Sequence, residues 1–552
     1  MRSPRSLAAL PLLLALAFLA TPLRAQTNGD GNATFPALQK LQDDLRQQEQ
    51  NPTYAPPSQG PFGEQPYLPG PAEHPNPPAE APSPWLITPQ VQLSETVTDN
   101  ALFSHTDRQA DLETFLNPSI SITGDTDRAK VDLNYSPVLL RNVVETGNNR
   151  LDQNFFGTGT FTAVPDAVFL NVRGSASEGS RSGSFGPIDP VNIRITDRTE
   201  VLAYDAGPEW RFPLPVGDGA TGDLRYSIGQ THFYNNTSAF LSDANGQPLV
   251  NGDISDGTLQ DLRLYLDSGD RGNLIAAQFT AEGTRDRISN GGGTDDNGTI
   301  MIESQLRLSP VFQLLGSVGY EDLRYSAFTF ANVNDPTWYG GARWQNAKDS
   351  FIQLTYGHRQ GFDSVAGQLH IPLTPLTSAF AEYGETVTTP QQQILNNLDQ
   401  GQLTASNIVI NPQTGLPQAL LANELSLQNS LFRDRDFRAG VVTTNEPDLY
   451  AVDMRYEDYI PIAGTVNQDS YVGAEALWQH AMNKTTNFSL TGGYYIRQQL
   501  SENTVVAQAS IGRYMTPTLL GSVGYQFIYG GSSVSARQFY ENALTVYLRK
   551  TF

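Results

Sequence analysis

Six histidines, His74, His105, His232, His358, His370 and His480, are scattered along the 552 residues. None stands at the His-x-x-x-His spacing that lets two imidazoles share a metal, the chain has no cysteine, and no glycine-rich phosphate loop occurs. The sequence therefore implies no metal and no cofactor. Serine, histidine and aspartate are common enough to suggest a triad by chance, but spacing alone carries no geometry; no catalytic residue is assigned, and a non-enzyme is expected. Asp295-Asp-Asn-Gly298 could offer carboxylates to Ca²⁺, yet it reads better as a solvated turn. The charges that recur at a telling spacing are those alternating with apolar residues. Asp261 and Arg263 alternate with Leu262, Leu264 and Leu266; Glu303 and Arg307 alternate with Ile300, Ile302, Leu306 and Leu308. Arg225, Asp453 and Arg455 are further candidates of this kind. A period of two puts such charges on one face of a strand. Rings of them would not break bonds; they would select solutes electrostatically in a water-filled passage.

Strands of this kind run through most of the chain. Segments of alternating hydrophobicity bounded by turn residues extend from 86–96 to 541–552. They number about 22, within a range of roughly 16 to 22, and single-chain bacterial barrels need an even count. Short turns such as Ser309-Pro310, Thr374-Pro375 and Thr516-Pro517 follow even-numbered strands, while longer Gly-, Asn- and Asp-rich connections such as 179–196 and 236–256 follow odd-numbered ones. That is the loop asymmetry of an outer-membrane barrel with both termini in the periplasm. The short connection after 350–360 departs from it. At about twenty strands the interior is too wide for side chains to fill, so the apolar face must meet lipid and the charged face must line water. The fold class expected is all-β, a large transmembrane antiparallel β-barrel preceded by a disordered Pro-rich N-terminal segment.

Both ends of the chain agree. Residues 1–25 read as a signal peptide: Arg2 and Arg5, an apolar run from Leu7 to Leu19, and a cleavage site at Leu23-Arg-Ala25. Residues 26–50 are polar, with Leu38, Leu41 and Leu45 spaced for a short amphipathic helix that is marginal alone. Residues 51–84 hold twelve prolines and read as a semi-rigid spacer. The barrel is expected over 85–552. Its last strand carries Leu544, Val546, Leu548 and Phe552 on one face, and the terminal aromatic resembles the C-terminal sorting signal of outer-membrane barrels, with Lys550 a departure from it. The expected partners are thus outer-membrane lipid and the barrel-assembly machinery. TonB-dependent receptors have barrels of similar length but place a folded plug first, for which this N-terminus is too short and too Pro-rich.

The net charge of −22 argues against nucleic acid as a partner. Leu314–Tyr320 recurs identically as Leu519–Tyr525, each copy following a Ser-Pro or Thr-Pro turn, as repeated hairpin design would give. The longest connection, 389–429, has helix-like pieces at 391–398 and 418–427. It either folds inward to narrow the pore or packs as a flap on the rim.

The opening strands, Thr88-Pro-Gln-Val-Gln-Leu-Ser-Glu-Thr-Val-Thr-Asp-Asn100, Asn117-Pro-Ser-Ile-Ser-Ile-Thr-Gly124 and Leu133-Asn-Tyr-Ser136, resemble a family of β-barrel porins associated with exopolysaccharide and exosortase gene clusters. The resemblance implies an outer-membrane pore serving polysaccharide export, with periplasmic export components as partners. Two functions are carried forward. One is a pore passing an envelope or extracellular polysaccharide or other hydrophilic solutes through a lumen lined by Arg225, Asp261, Arg263, Glu303, Arg307, Asp453 and Arg455. The other is a structural or polymer-binding barrel without transport.

Overall fold

A computed structural model describes residues 84–552, apart from 181–197, 216–218, 235–253, 270–273, 290–292, 328–330, 347–349, 401, 404–408, 412–415, 418–429, 464–467, 499–500 and 533–537. The signal peptide, the 26–50 segment and the Pro-rich spacer up to residue 83 lie outside the described residues, as does the helix-like piece at 418–427.

The chain forms a closed antiparallel barrel of 22 strands. They are β1 (Trp85–Thr98), β2 (Asp111–Asp125), β3 (Ala129–Tyr135 continued by Val138–Asn142), β4 (Arg150–Asp152 continued by Phe155–Val164), β5 (Val168–Ser180), β6 (Arg198–Pro213) and β7 (Thr221–Tyr234). There follow β8 (Gly257–Asp267), β9 (Ile275–Ile288), β10 (Gly293–Ser309), β11 (Phe312–Tyr325), β12 (Val333–Asn346), β13 (Ser350–Arg359), β14 (Phe362–Thr374) and β15 (Thr377–Thr388). After a helix, α1 (Pro390–Gln400), come β16 (Leu431–Asn445), β17 (Asp448–Ala463), β18 (Asp469–Asn483), β19 (Thr486–Arg497), β20 (Glu502–Thr516), β21 (Leu519–Ser532) and β22 (Phe539–Thr551). Each strand pairs with its sequence neighbours. The interruption in β3 falls at Ser136-Pro137, where proline cannot donate to the ladder, and β4 breaks opposite it, with the Ser136 amide donating to the Asn154 carbonyl at 2.8 Å.

β1 pairs with β22 from Gln90↔Thr551 to Thr98↔Ala543, which removes both sheet edges. The seam carries side-chain bonds as well: the Thr96 and Thr545 hydroxyls lie 2.6 Å apart, and the Thr98 hydroxyl donates to Glu541 at 2.7 Å.

The turns follow from local chemistry. At Arg307/Ser309, Pro372/Thr374, Ala481/Asn483 and Tyr514/Thr516 the ladder slips by one residue just before a two-residue turn. In each case the Ser, Thr or Asn ending the strand accepts, on its side-chain oxygen, the amide two residues on. This local bond competes with the ladder and fixes where it stops. The repeated Leu314–Tyr320 and Leu519–Tyr525 segments sit just past two of these equivalent turns. On the opposite rim, the two-residue turn Gln360-Gly361 joins β13 and β14, so the short connection expected there is real. Gln360 (φ 53°) and Gly361 (φ 82°) are both left-handed, as a tight hairpin of this type requires.

Alternation sorts the side chains. Leu262, Ile300, Ile302, Val318, Leu354, Val452, Leu544, Val546 and Leu548 are exposed on the outer surface. Aromatic residues border this band: Trp344 (β12), Trp478 (β18) and Tyr450 (β17) toward one rim, and Tyr356 (β13) and Tyr494 (β19) toward the other. Such an exterior belongs in a bilayer, and barrels of this build cross the outer membrane. A charge in the middle of the outer band should therefore be costly. Val546→Arg is expected to destabilise the barrel by about 2–4 kcal/mol, the cost of arginine near the midplane, read as a lower urea midpoint for loss of the heat-modifiable folded band on gels. Lys550 lies on the same face but at the end of β22, where its amine reaches the Thr518 hydroxyl and stands 5.9 Å over the Phe552 ring.

One expectation about the chain is corrected. Asp295-Asp-Asn-Gly298 is not a turn. It lies within β10, in register with Asp286, Arg285, Thr284 and Gly283 of β9, so its two aspartates point to opposite faces of the sheet. Sequence alternation is masked there by polar residues on both sides.

Candidate functional site

The inner face of β4–β8 holds α1. The helix starts where its sequence dictates: Thr389 accepts the Gln392 amide on its hydroxyl at 3.3 Å, and Pro390 follows at the first helical position. Gln391, Ile394, Leu395 and Leu398 form its buried stripe, at the i, i+3, i+4, i+7 spacing of one helix face. Ile394, Leu395 and Leu398 pack against Phe156, Val201, Ala203 and Phe233, residues on the opposite parity to the lipid-facing set, and against Ile254 just before β8. Two glycines allow the approach. A Cβ at Gly229 would meet Leu395 at 3.0 Å, and one at Gly257 would meet Gln391 at 3.0 Å. Burying the three apolar side chains is worth about 2 kcal/mol each.

Polar contacts extend from this seat to other walls. Gln391 Nε2 donates to the Ser255 carbonyl at 2.7 Å. Gln393 Nε2 donates to Asp434 of β16 at 3.1 Å, and its amide oxygen accepts the Tyr459 hydroxyl of β17 at 3.0 Å. The helix thereby joins the β4–β8 wall to β16 and β17.

The last contact is electrostatic. Asp399 accepts Arg225 Nη2 at 2.5 Å and Arg263 Nη1 at 3.2 Å, and also pairs with Arg173. A carboxylate at the C-terminal end of a helix opposes the helix dipole, so its position there needs an outside explanation. The arginines supply one. Arg225 and Arg263 stand directly opposite each other in the β7–β8 register, a like-charge pair that is costly without an anion between them. Asp205 at 3.4 Å from Arg173, and Asp261 and Glu282 at 2.8 and 3.1 Å from Arg263, complete the cluster. Burial alone would push the Asp399 carboxyl up, but Arg173, Arg225 and Arg263 outweigh it and hold it below the ordinary carboxylate range.

Of the residues singled out in the sequence, Arg225, Asp261 and Arg263 thus come together around one carboxylate. Glu303 lies on β10 and accepts the Tyr339 hydroxyl of β12 at 2.8 Å. Arg307 is on the same face of β10. Asp453 and Arg455 form a second group, with Asp453 at 3.2 Å from Arg455 and 3.7 Å from Arg438; Arg438 and Arg455 are again directly opposite in register. The terminal set Leu544, Val546 and Leu548 lies on the outer face, and Phe552 is exposed. Sequence reasoning missed Arg173, Asp205 and Asp399. The available signal was an aspartate closing an amphipathic helix.

Among the described residues the histidines do not gather. His232, His358 and His480 each pair with a single aspartate, Asp256, Asp363 and Asp448.

No family model matches the chain, and no curated protein does. Among solved structures it is similar to the siderophore receptor PirA from Acinetobacter baumannii, at 9% identity over 84% of this chain and 80% of that one, with a TM-score of 0.46. It is likewise similar to the FrpB iron transporter from Neisseria meningitidis, at 10% identity over 84% and 82%, TM-score 0.48. The outer membrane transporter YddB from Escherichia coli gives 10% over 84% and 81%, TM-score 0.43. At such identities and scores the assignment of this chain rests on its own strand ladder and outer face.

Proposed function

We propose that the chain is an outer-membrane pore that passes hydrophilic solutes, an envelope or extracellular polysaccharide foremost, through a charged lumen narrowed by α1. The observation that carries this reading is the alternation of an apolar outer face with an inner face of ion pairs, on a barrel of 22 strands. In this reading Arg225, Asp261, Arg263, Glu303, Arg307, Asp453 and Arg455 set the selectivity of the lumen, and α1 is the constriction. The signal peptide ending at Ala25 directs export. Leu544, Val546, Leu548 and Phe552 are recognised by the barrel-assembly machinery, and the Pro-rich spacer reaches toward periplasmic export components. The resemblance of Thr88–Asn100 and Asn117–Gly124 to the exopolysaccharide-associated porins supports the polymer as cargo.

The reading is tested by reconstituting the protein in a planar bilayer. Steady single-channel conductance is the expected result. A silent barrel would instead support a structural or polymer-binding role, which the seating of α1 on the inner face would then explain. Loss of secreted polymer on deletion of the gene is the expected outcome for the cargo; unchanged secretion would remove the polysaccharide from the proposal and leave the general pore.

A further inference from the structure

The outer surface carries a groove of about 480 Å³ near the rim opposite the short turns, over β7–β11. Its floor is made by Gly283 and Gly298, directly opposite each other in register. No atom lies within 4 Å of where a Cβ of Gly283 would stand, and only the Asp322 carbonyl oxygen comes to 4.0 Å of that of Gly298. Tyr226 and Leu262 line one side and are part-exposed to the membrane.

Around this floor the outward-facing side chains change from apolar to charged on three strands, within one row of each other. On β9, Ile275, Ala277, Phe279 and Ala281 give way after Gly283 to Arg285 and Arg287. On β11, Leu314, Val318 and Tyr320 give way to Asp322 and Arg324. On β10, Ile302 and Ile300 give way after Gly298 to Asp296. In register, Arg285, Asp296 and Arg324 form one row across the three strands. Arg285 Nε lies 2.6 Å from Asp296, and Arg324 Nη2 lies 2.6 Å from Asp322, yet the two arginine side chains stay 51% and 66% exposed. Arg287 is exposed and has no ion-pair partner among the described residues. The patch therefore presents three cations against two carboxylates, at the level where the apolar band ends.

We infer that this groove binds a phosphate-bearing glycolipid of the outer leaflet, its headgroup phosphate on Arg285, Arg287 and Arg324 and an acyl chain over Gly283 and Gly298. Arginine suits the role because its planar fork takes phosphate oxygens in pairs. A glycine floor gives a chain the depth that any side chain would remove, and arginines clustered at the membrane surface attract anionic lipid headgroups.

The test uses the full-length protein in detergent, with diphosphoryl lipid A, its monophosphoryl form and inorganic phosphate as probes, followed by native mass spectrometry and a thermal shift titration. Diphosphoryl lipid is expected to bind best, inorganic phosphate not to compete, and the R285Q/R287Q/R324Q variant to bind at least about tenfold more weakly. Gly298→Leu, which fills the floor and leaves the arginines, should weaken lipid binding alone. Asp322→Asn should strengthen it severalfold by releasing Arg324. Binding unchanged in the triple variant would overturn the site, as would binding weakened by Asp322→Asn. Competition by inorganic phosphate at equal concentration would show a bare anion site and overturn the lipid.

Discussion

Deleting residues 391–427 should raise single-channel conductance severalfold while leaving a folded, heat-modifiable barrel. The reason is the division of labour between the helix and the sheet. α1 adds nothing to the strand ladder, so its loss exposes Phe156, Val201 and Phe233 inside the lumen without opening an edge. The barrel contacts it removes, those to Arg173, Arg225, Arg263, Asp434 and Tyr459, are all on the inner face. An unchanged conductance would mean that α1 lies beside the solute path, and the constriction would have to be abandoned.

The second large effect is expected from the carboxylate clamp. Asp399→Asn leaves the helix its apolar seat but withdraws the anion between Arg225 and Arg263, which face each other across β7 and β8. Two consequences should appear together: conductance fluctuations as the C-terminal end of α1 detaches, and a shift of reversal potential toward anion preference under a salt gradient. Wild-type protein should mimic the variant only in strong acid. The Asp399 carboxyl is held below its ordinary range, so the clamp is fully present above the usual carboxylate pKa of about 4 and is lost as pH falls through the depressed value. A wild-type channel that already fluctuated at pH 5 would contradict this. Arg225→Ala is the control: it removes one of three partners and should give weaker fluctuations, while the reversal potential moves the other way, toward cation preference, because a fixed cation is lost.

The strand plan was legible because a membrane barrel writes its geometry in a local code. Period-two alternation marks each strand, and Ser309-Pro310, Thr374-Pro375 and Thr516-Pro517 end strands through side-chain bonds that span only two residues. The strand count followed directly. The polar ends were harder to read. β10 extends through Asp295-Asp-Asn-Gly298 because both of its faces there are polar, so alternation gives no signal. The clamp was not legible at all. Asp399 meets Arg225 and Arg263 across 174 and 136 residues of chain, and Arg173 looked like any charge in a strand. Arg225, Asp261 and Arg263 were picked out by face alone; only the fold says that they share one carboxylate.

The bond between the Thr96 and Thr545 hydroxyls has a kinetic meaning. Its partners are 449 residues apart, so the closing contact has nearly the longest loop this chain can make. Bringing such ends together costs about 5 kcal/mol of chain entropy by the logarithmic law, and nothing local rewards it in advance. Contacts of this separation form last and slowly. Until Phe539–Thr551 has arrived, β1 waits as an unpaired edge, and closure must await β22.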